Sequence, residues 1–275
     1  VNLEEYDEWK NDKNFIPDLI RMLDNVITYF VENAPDTLSK AKFSAKMERS
    51  LGLGAMGFHA YLQRKNVPFE SPMAVGVNKQ MFGHIKKEAV NATETLAMER
   101  GEAPDAVGQG VRNVHLLAVA PNASSSIICG NTSPSIEPYR ANAFTQKTKS
   151  GSSLLKNEYL EHVLQEMGQD TDEVWKSIIT NNGSVQHLDF LDDWTKDVFK
   201  TAVEIDQRWI IDMAADRQKD ICQSQSLNIF FPANVSKQEL HAIHMMAWKK
   251  KVKTLYYLRS EAIKRAETVS DEALR

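Results

Sequence analysis

Apolar residues recur at helical spacing between Phe15 and Glu32: Ile16, Leu19, Ile20, Leu23, Val26, Ile27 and Phe30. This period predicts one amphipathic helix, with Asn14 able to cap it and Pro17 suited to its first turn. Residues 39–65 read as a helix pair or one interrupted helix, and residues 74–100 as a long helix stopped at Gly101. A loop bearing Pro and Gly, Glu102 to Gly110, follows. The pattern then changes. Val114 to Ala120 is a nearly continuous apolar run, broken by Pro121 and Asn122, as in a buried strand. Ser133 to Gly151 alternates and is rich in Thr, Tyr and Phe, which predicts a hairpin. Residues 153–181 and 190–217 read as helical with charged outer faces. Gln225 to Phe231 reads as a strand, Ser236 to Lys251 as a helix and Lys253 to Arg259 as a strand. Val1-Asn2-Leu3 reads as the tail of a strand. Strand–helix alternation in the last third implies parallel strands with helical crossovers, an α/β fold.

The stretch Pro121-Asn122-Ala123-Ser124-Ser125-Ser126 carries the most chemistry. A strand that turns through small hydroxyl residues into a helix start can cradle a phosphate. Free N–H groups and the positive helix end attract an anion, and hydroxyls add donors. The alternative is that Ser124 simply caps a helix. A serine nucleophile has no support: the Gly-x-Ser-x-Gly elbow is absent.

Composition narrows the class. The chain has 275 residues, 42% hydrophobic and 25% charged, which is ordinary for a globular protein with a large core. Its net charge of −4 gives no electrostatic argument for nucleic acid. No apolar run approaches the roughly 18–20 residues of a membrane span, and the first dozen residues are acidic and polar rather than a signal peptide. Cys129 and Cys222 alone cannot make a disulfide framework and are expected to be buried thiols in a cytoplasmic protein. The start on Val1 suggests a fragment of a longer polypeptide.

Three other patterns carry less. Gly52-x-Gly54-x-x-Gly57 matches a dinucleotide-binding string, but the residues before it read as a charged helix instead of a buried strand. These glycines are expected to mark close backbone approach on a packed helix. His241 and His244 lie three apart without further ligands in a recognisable pattern. Lys249, Lys250, Lys251 and Lys253 read as a solvated helix C-terminus.

Four segments, in order, resemble one family. They are Arg49-Ser50-Leu51-Gly52-Leu53-Gly54-Ala55-Met56-Gly57, the stretch Pro121 to Pro138 (PNASSSIICGNTSPSIEP), Gln223 to Phe230, and Ala247 to Ser260 (AWKKKVKTLYYLRS). Together they resemble the C-terminal part of the large, catalytic subunit of class I ribonucleoside-diphosphate reductases. The resemblance implies the second half of a ten-stranded α/β barrel: five parallel strands with many covering helices. Helical segments would span 12–100, a strand and phosphate turn 111–150, a helical insertion 153–220 and the last strands 223–260. It implies that Pro121 to Ser126 contact the substrate diphosphate. The family often carries Thr, Met or Glu where this chain has Ala123 and Ser124, so the implied contacts are those of backbone N–H groups. It also implies that Tyr256 and Tyr257 relay an electron and a proton to a cysteine that becomes a thiyl radical. Adjacent residues on a regular strand face opposite ways, so for the two rings to stack the chain must depart from a regular strand at Tyr256, or the strand must end there.

The family reduces ribonucleoside diphosphates to deoxyribonucleotides for DNA synthesis. Its reactive cysteines, with an assisting Asn and Glu, lie in segments expected to precede Val1, and its shuttle cysteines in a tail expected to follow Arg275. The chain by itself is therefore expected to be inactive and to bind no metal or other cofactor. The implied partners are the rest of the same subunit, a metal-containing radical-generating small subunit, a thioredoxin-type reductant, nucleotide effectors and, for the complete subunit, a second copy. Two alternatives stand beside this: the non-catalytic half of a naturally split subunit, and a cobalamin-dependent reductase on the same barrel. The tyrosine pair argues against the latter, which makes its radical locally.

Overall fold

A computed structural model describes residues 1–148 and 151–260. Its helices and strands follow in the order α1 (Tyr6–Trp9), α2 (Phe15–Asn33), α3 (Ser39–Glu48), α4 (Phe58–Arg64), α5 (Pro72–Arg100), α6 (Ala123–Ile128), β1 (Ala143–Thr148) and β2 (Gly151–Lys156). Then come α7 (Glu158–Glu166), α8 (Asp172–Thr180), α9 (Asp193–Val198), α10 (Gln207–Gln218), β3 (Ile229–Phe231), α11 (Lys237–Lys249) and β4 (Leu258–Ser260). None of the described helices is long and apolar enough to cross a membrane.

The frame that positions everything else is parallel. Five extended stretches run side by side: residues 1–3, 51–56, 114–119, 223–231 and 256–260. Single parallel bridges join Asn2 to Met56, Leu53 to Leu117 and Val119 to Gln225, and a three-residue parallel ladder joins β3 to β4, with Ile229 opposite Leu258. Backbone hydrogen bonds follow the same order, from Leu3 N–H to Met56 O at 2.7 Å through Ala118 N–H to Leu53 O at 3.2 Å to Ser226 N–H to Val119 O at 2.8 Å. Leu116, Leu117, Leu227, Ile229, Phe230 and Phe231 are all buried, as expected where helices cover a parallel sheet on both faces. The helix α5 packs on α2 and α10 behind it.

Helix α2 follows its apolar period, burying Ile16 and Ile20, although Asn14 makes no side-chain cap bond. Helix α5 starts two residues earlier than expected, at Pro72, because Ser71 caps it by accepting from Ala74 N–H. It stops at Gly101, whose φ of +85° only glycine adopts freely.

Elsewhere the structure departs from the pattern. Residues 39–65 form two helices separated by the second extended stretch, so Gly52 and Gly54 lie on that stretch and not on a helix. Close approach is the right physics in the wrong element: a Cβ on Gly54 would stand 2.8 Å from Ala118 O. The hairpin is β1 with β2, pairing Ala143 with Lys156, and lies further along than expected; its turn at 149–150 falls outside the described residues. Residues 133–142 form no strand. Ser133, Ser135, Glu137 and Asn142 are buried there, with Ser133 Oγ accepting from Ala60 N–H and Asn142 Nδ2 donating to Gly183 O and Phe199 O. The stretch 153–181 begins in β2 and holds two helices, because Gly168 at φ +66° ends the first and Thr171 caps the second. Residues 190–217 likewise divide into α9 and α10, capped by Asp192 and Asp206. Helices α7 and α8 close over a second apolar cluster around Trp175, Leu160 and Ile178.

One ionic knot ties the back of the sheet together. Asp24, fully buried on α2, accepts from Arg49 Nε at 2.8 Å, Arg100 Nη1 at 3.0 Å and Asn113 Nδ2 at 3.1 Å, with Arg112 Nε at 3.5 Å. Burial pushes the Asp24 carboxyl up, but these partners outweigh it and hold its pKa below the ordinary value.

Candidate functional site

The third extended stretch ends at Ala120, and the chain turns through Pro121 and Asn122 into α6. Asn122 adopts the left-handed conformation at φ 49°, which Asn tolerates. Its amide Nδ2 donates to Ala55 O on the neighbouring stretch at 3.1 Å. That bond moors the turn, and Asn122 makes no side-chain cap on α6. The N–H groups of Ala123, Ser124 and Ser125 therefore find no acceptor among the described residues. Ser124 is not the cap considered from sequence; it lies within the first turn, exposed, as do Ala123 and Ser125. Ser126 is buried, and its hydroxyl donates back to Ala123 O at 3.2 Å. The turn thus offers three free backbone donors and two free hydroxyls on one exposed surface, the donor set an oxyanion needs.

Cys129, expected to be buried, is exposed just past α6. Cys222 is half-buried, and its sulfur accepts from Leu116 N–H at 3.1 Å and Leu117 N–H at 3.2 Å, standing where a strand carbonyl would. Both are free thiols. His244 on α11 bonds the Leu240 carbonyl oxygen at 2.7 Å through Nδ1, and no group of three or more possible metal ligands occurs among the described residues. The lysines at the end of α11 are exposed, as expected, and two of them also have partners: Lys250 pairs with Asp212 at 2.7 Å, and Lys253 Nζ donates to Cys222 O at 2.7 Å and Gln223 O at 3.1 Å.

Tyr256 and Tyr257 precede β4. The chain is irregular there, and the ring centroids stand 4.0 Å apart with the planes tilted at 49°, in contact but not stacked. Tyr256 Oη donates to Tyr257 Oη at 3.3 Å. This hydrogen bond raises the Tyr256 phenol pKa above its ordinary value. The rings are 48% and 50% exposed, so neither is a core residue of this chain.

Residues 225–228 bring the turn and the tyrosines together. On one side Ser226 N–H bonds Val119 O. On the other, Tyr256 N–H donates to Leu227 O at 2.8 Å and Tyr257 N–H to Asn228 Oδ1 at 3.1 Å. Two interstrand spacings, about 10 Å, therefore separate the root of the serine turn from the tyrosine backbone.

The sequence did not single out what lies beneath. Glu137 is buried, and its Oε1 accepts from Asn228 Nδ2 at 2.5 Å. The guanidinium of Arg259 lies 4.9 Å over the Tyr257 ring. Burial pushes the Glu137 carboxyl up to about 7, against the pull of Arg140 and Arg259. The only signal was one acid set among small and apolar residues in Ser133 to Pro138. The raised value predicts a pH effect with a definite sign. Below the ordinary value of 4.5 the carboxyl is protonated folded or unfolded, and its folded-state proton uptake stabilises the fold most. That stabilisation is lost as pH rises from about 4.5 to about 7. The shift corresponds to a loss on the order of 3 kcal/mol. Glu137→Gln should flatten this slope, so thermal midpoints of parent and variant should diverge between pH 5 and pH 8 in favour of the variant. Parallel slopes would refute the burial argument.

Comparison with known proteins places this geometry. A profile of the ribonucleotide reductase barrel domain matches residues 1–107 and 105–258. The ribonucleoside-diphosphate reductase large subunit of Invertebrate iridescent virus 6 is 51% identical over 98% of this chain and 29% of its own length. The putative large subunit of Frog virus 3 is 51% identical over 94% of this chain and 46% of its own. The chain thus spans less than half the length of these relatives. Among solved structures, the Actinobacillus ureae class Id ribonucleotide reductase alpha subunit superposes with a TM-score of 0.89 at 38% identity, covering 97% of this chain and 49% of that one.

Proposed function

This chain belongs to the ribonucleotide reductase barrel-domain family, and on that premise we propose that it acts as the C-terminal portion of the catalytic subunit of a ribonucleoside-diphosphate reductase. Its five parallel stretches then form one half of a ten-stranded barrel, and the rest of the subunit supplies the other half. The reaction replaces the ribose 2′-hydroxyl of a nucleoside diphosphate by hydrogen. Within it, this chain has two tasks. Pro121 to Ser126 hold the diphosphate through the free N–H groups of the first turn of α6 and the hydroxyls of Ser124 and Ser125. Tyr256 and Tyr257 pass a radical. Each phenol gives up one electron and one proton and takes both back from its neighbour, so atoms and charge balance at every step.

The observation that carries this reading is the shared anchorage. Donors suited to a diphosphate and a close-set, half-exposed phenol pair flank the same four residues of the fourth stretch. A packing role would bury the rings, and these are open. The radical would be generated in a separate metal-bearing small subunit and the electrons supplied by a thioredoxin-type reductant, in the cytoplasm. A homodimer of the complete subunit and nucleotide effectors belong to the same reading.

The test of the turn is direct. In the complete subunit, Ser125→Ala should weaken nucleoside diphosphate binding by about 1 kcal/mol, and by up to about 3 if the lost bond is charge-assisted. Ser125→Pro should weaken it more, because it removes a backbone donor and distorts the turn. Titration calorimetry measures both. If both variants bind like the parent, the diphosphate lies elsewhere.

A further inference from the structure

Glu137 takes no part in the tasks just assigned, yet it is placed to act on one of them. Two hydrogen bonds connect it to the relay, and a third holds the relay from the other side. Its carboxylate accepts from Asn228 Nδ2 at 2.5 Å. The same amide's Oδ1 accepts the backbone N–H of Tyr257 at 3.1 Å. Tyr257 O in turn accepts from Ile229 N–H at 2.9 Å, where the β3–β4 ladder begins. The Tyr257 backbone is thus clamped on one side by the ladder and on the other by an amide. An amide can bind either way round, and a buried acceptor for its NH2 fixes which way it points. With Glu137 accepting, Asn228 must present its oxygen to Tyr257.

We propose, resting on the relay reading above, that Glu137 is a positioning residue: through Asn228 it holds Tyr257 in register with Tyr256, and it does so in its ionised form. An ionised carboxylate only accepts hydrogen bonds, so it can pair only with the NH2 of Asn228. A protonated carboxyl also donates. It can take the Asn228 oxygen for itself, releasing the Tyr257 N–H and the ring contact that depends on it. The charged groups that face Glu137 are Arg140, on the same loop, and Arg259, on the fifth stretch. Both favour the ionised form. Arg259 also lies over the Tyr257 ring, so the same cation spans the acid and the phenol it positions. The raised pKa of Glu137, about 7, puts the switch within the working pH range. Asn228 faces Glu137 from the fourth stretch and carries no charge.

The experiment uses the complete subunit with its small subunit and compares the parent with Glu137→Gln, Glu137→Leu and Tyr257→Phe. Parent kcat should fall about tenfold from pH 8 to pH 6, as for loss of an essential ionised group titrating near 7. Glu137→Gln carries an NH2 donor at every pH and so stands in for the protonated acid. Its kcat should lie about tenfold below the parent's at pH 8 and show no further fall below pH 7. Glu137→Leu should lose at least tenfold in kcat, with KM for the nucleotide within twofold. A fall below pH 7 that persists unchanged in Glu137→Gln overturns the proposal, whether or not Glu137→Leu folds. So does full turnover in Glu137→Leu. Tyr257→Phe separates the two layers. If it is inactive while Glu137→Leu is fully active, only the positioning role fails; if it turns over normally, the relay reading fails and this inference falls with it.

Discussion

In the complete enzyme, Tyr256→Phe and Tyr257→Phe should each abolish turnover while leaving folding and nucleotide binding within a few-fold of the parent. The rings are half-exposed, and each phenol hydroxyl bonds the other at 3.3 Å. Replacing one hydroxyl by hydrogen keeps the ring, its volume and nearly all its contacts. Thermal stability should therefore change by about 1 kcal/mol or less, the worth of one solvent-accessible hydrogen bond. What disappears is the transferable proton. The hydrogen bond from Tyr256 raises its pKa above the ordinary 10.0, so the phenol is protonated at neutral pH and its oxidation must release a proton with the electron. Phenylalanine has neither an accessible oxidation nor a proton to release. A packing role predicts the opposite: some loss of stability with turnover largely kept. Turnover and thermal midpoint measured on the same two variants separate these outcomes. Robust turnover in either variant removes that residue from the relay.

The tyrosine pair also marks how far the sequence could be read. Its departure from a regular strand followed from the relay that the resemblance implied: side chains of adjacent strand residues point apart, and a relay needs the two rings to meet. The helices α2 and α5 were legible because each buries one face over many turns. The stretch 114–120 was legible because it is covered on both faces and so reads as an unbroken apolar run. The second stretch escaped notice. Leu51, Leu53 and Ala55 alternate with Gly52 and Gly54, but a five-residue alternation beside a strong helix looks like that helix's interruption. Its strand character comes from neighbours 54 residues before it and 64 residues after it, Asn2 against Met56 and Leu117 against Leu53. The same limit hid Glu137. Its value lies in a bond to Asn228, 91 residues on, and no local period encodes a partner at that distance. The serine turn was seen as a donor surface, but which residue caps α6 depended on Asn122 spending its amide on Ala55 O, again a contact between stretches. Local order was readable wherever one element buries its own face; the sites that join elements were not.

Asp24→Asn should destabilise the fold by about 3–5 kcal/mol, the usual cost of removing one partner from a buried ion pair. The side chain is buried on α2, and three arginines from three other places converge on it: Arg49 at the end of α3, Arg100 at the end of α5 and Arg112 ahead of the third stretch. Arg49 is itself buried, and holds a left-handed backbone at φ 48° so as to donate to both the Asp24 carboxylate and its carbonyl. Asparagine fills the same volume and still accepts one hydrogen bond. It cannot neutralise the arginines, and the one most deeply buried, Arg49, has no other carboxylate within salt-bridge distance among the described residues. The loss is thus an electrostatic one, distinct from a cavity. The pH dependence gives a second reading of the same argument. Because the folded-state pKa lies below the ordinary 3.8, the contribution is fully present above that value and is lost as pH falls through the lower one. Urea unfolding of parent and variant at pH 7 should show the full difference, and the gap should narrow as pH is taken below 3.8. A variant as stable as the parent at pH 7 would mean that water or rearranged arginines satisfy the knot without its anion. Because the arginines come from α3, α5 and the entry to the third stretch, weakening Asp24 should loosen the sheet where its second and third stretches begin, at the end opposite the serine turn. Hydrogen exchange at Leu51 and Val114, whose N–H groups bond His115 O and Glu48 O at that junction, should then accelerate more than exchange in α7 and α8, which rest on the separate cluster around Trp175.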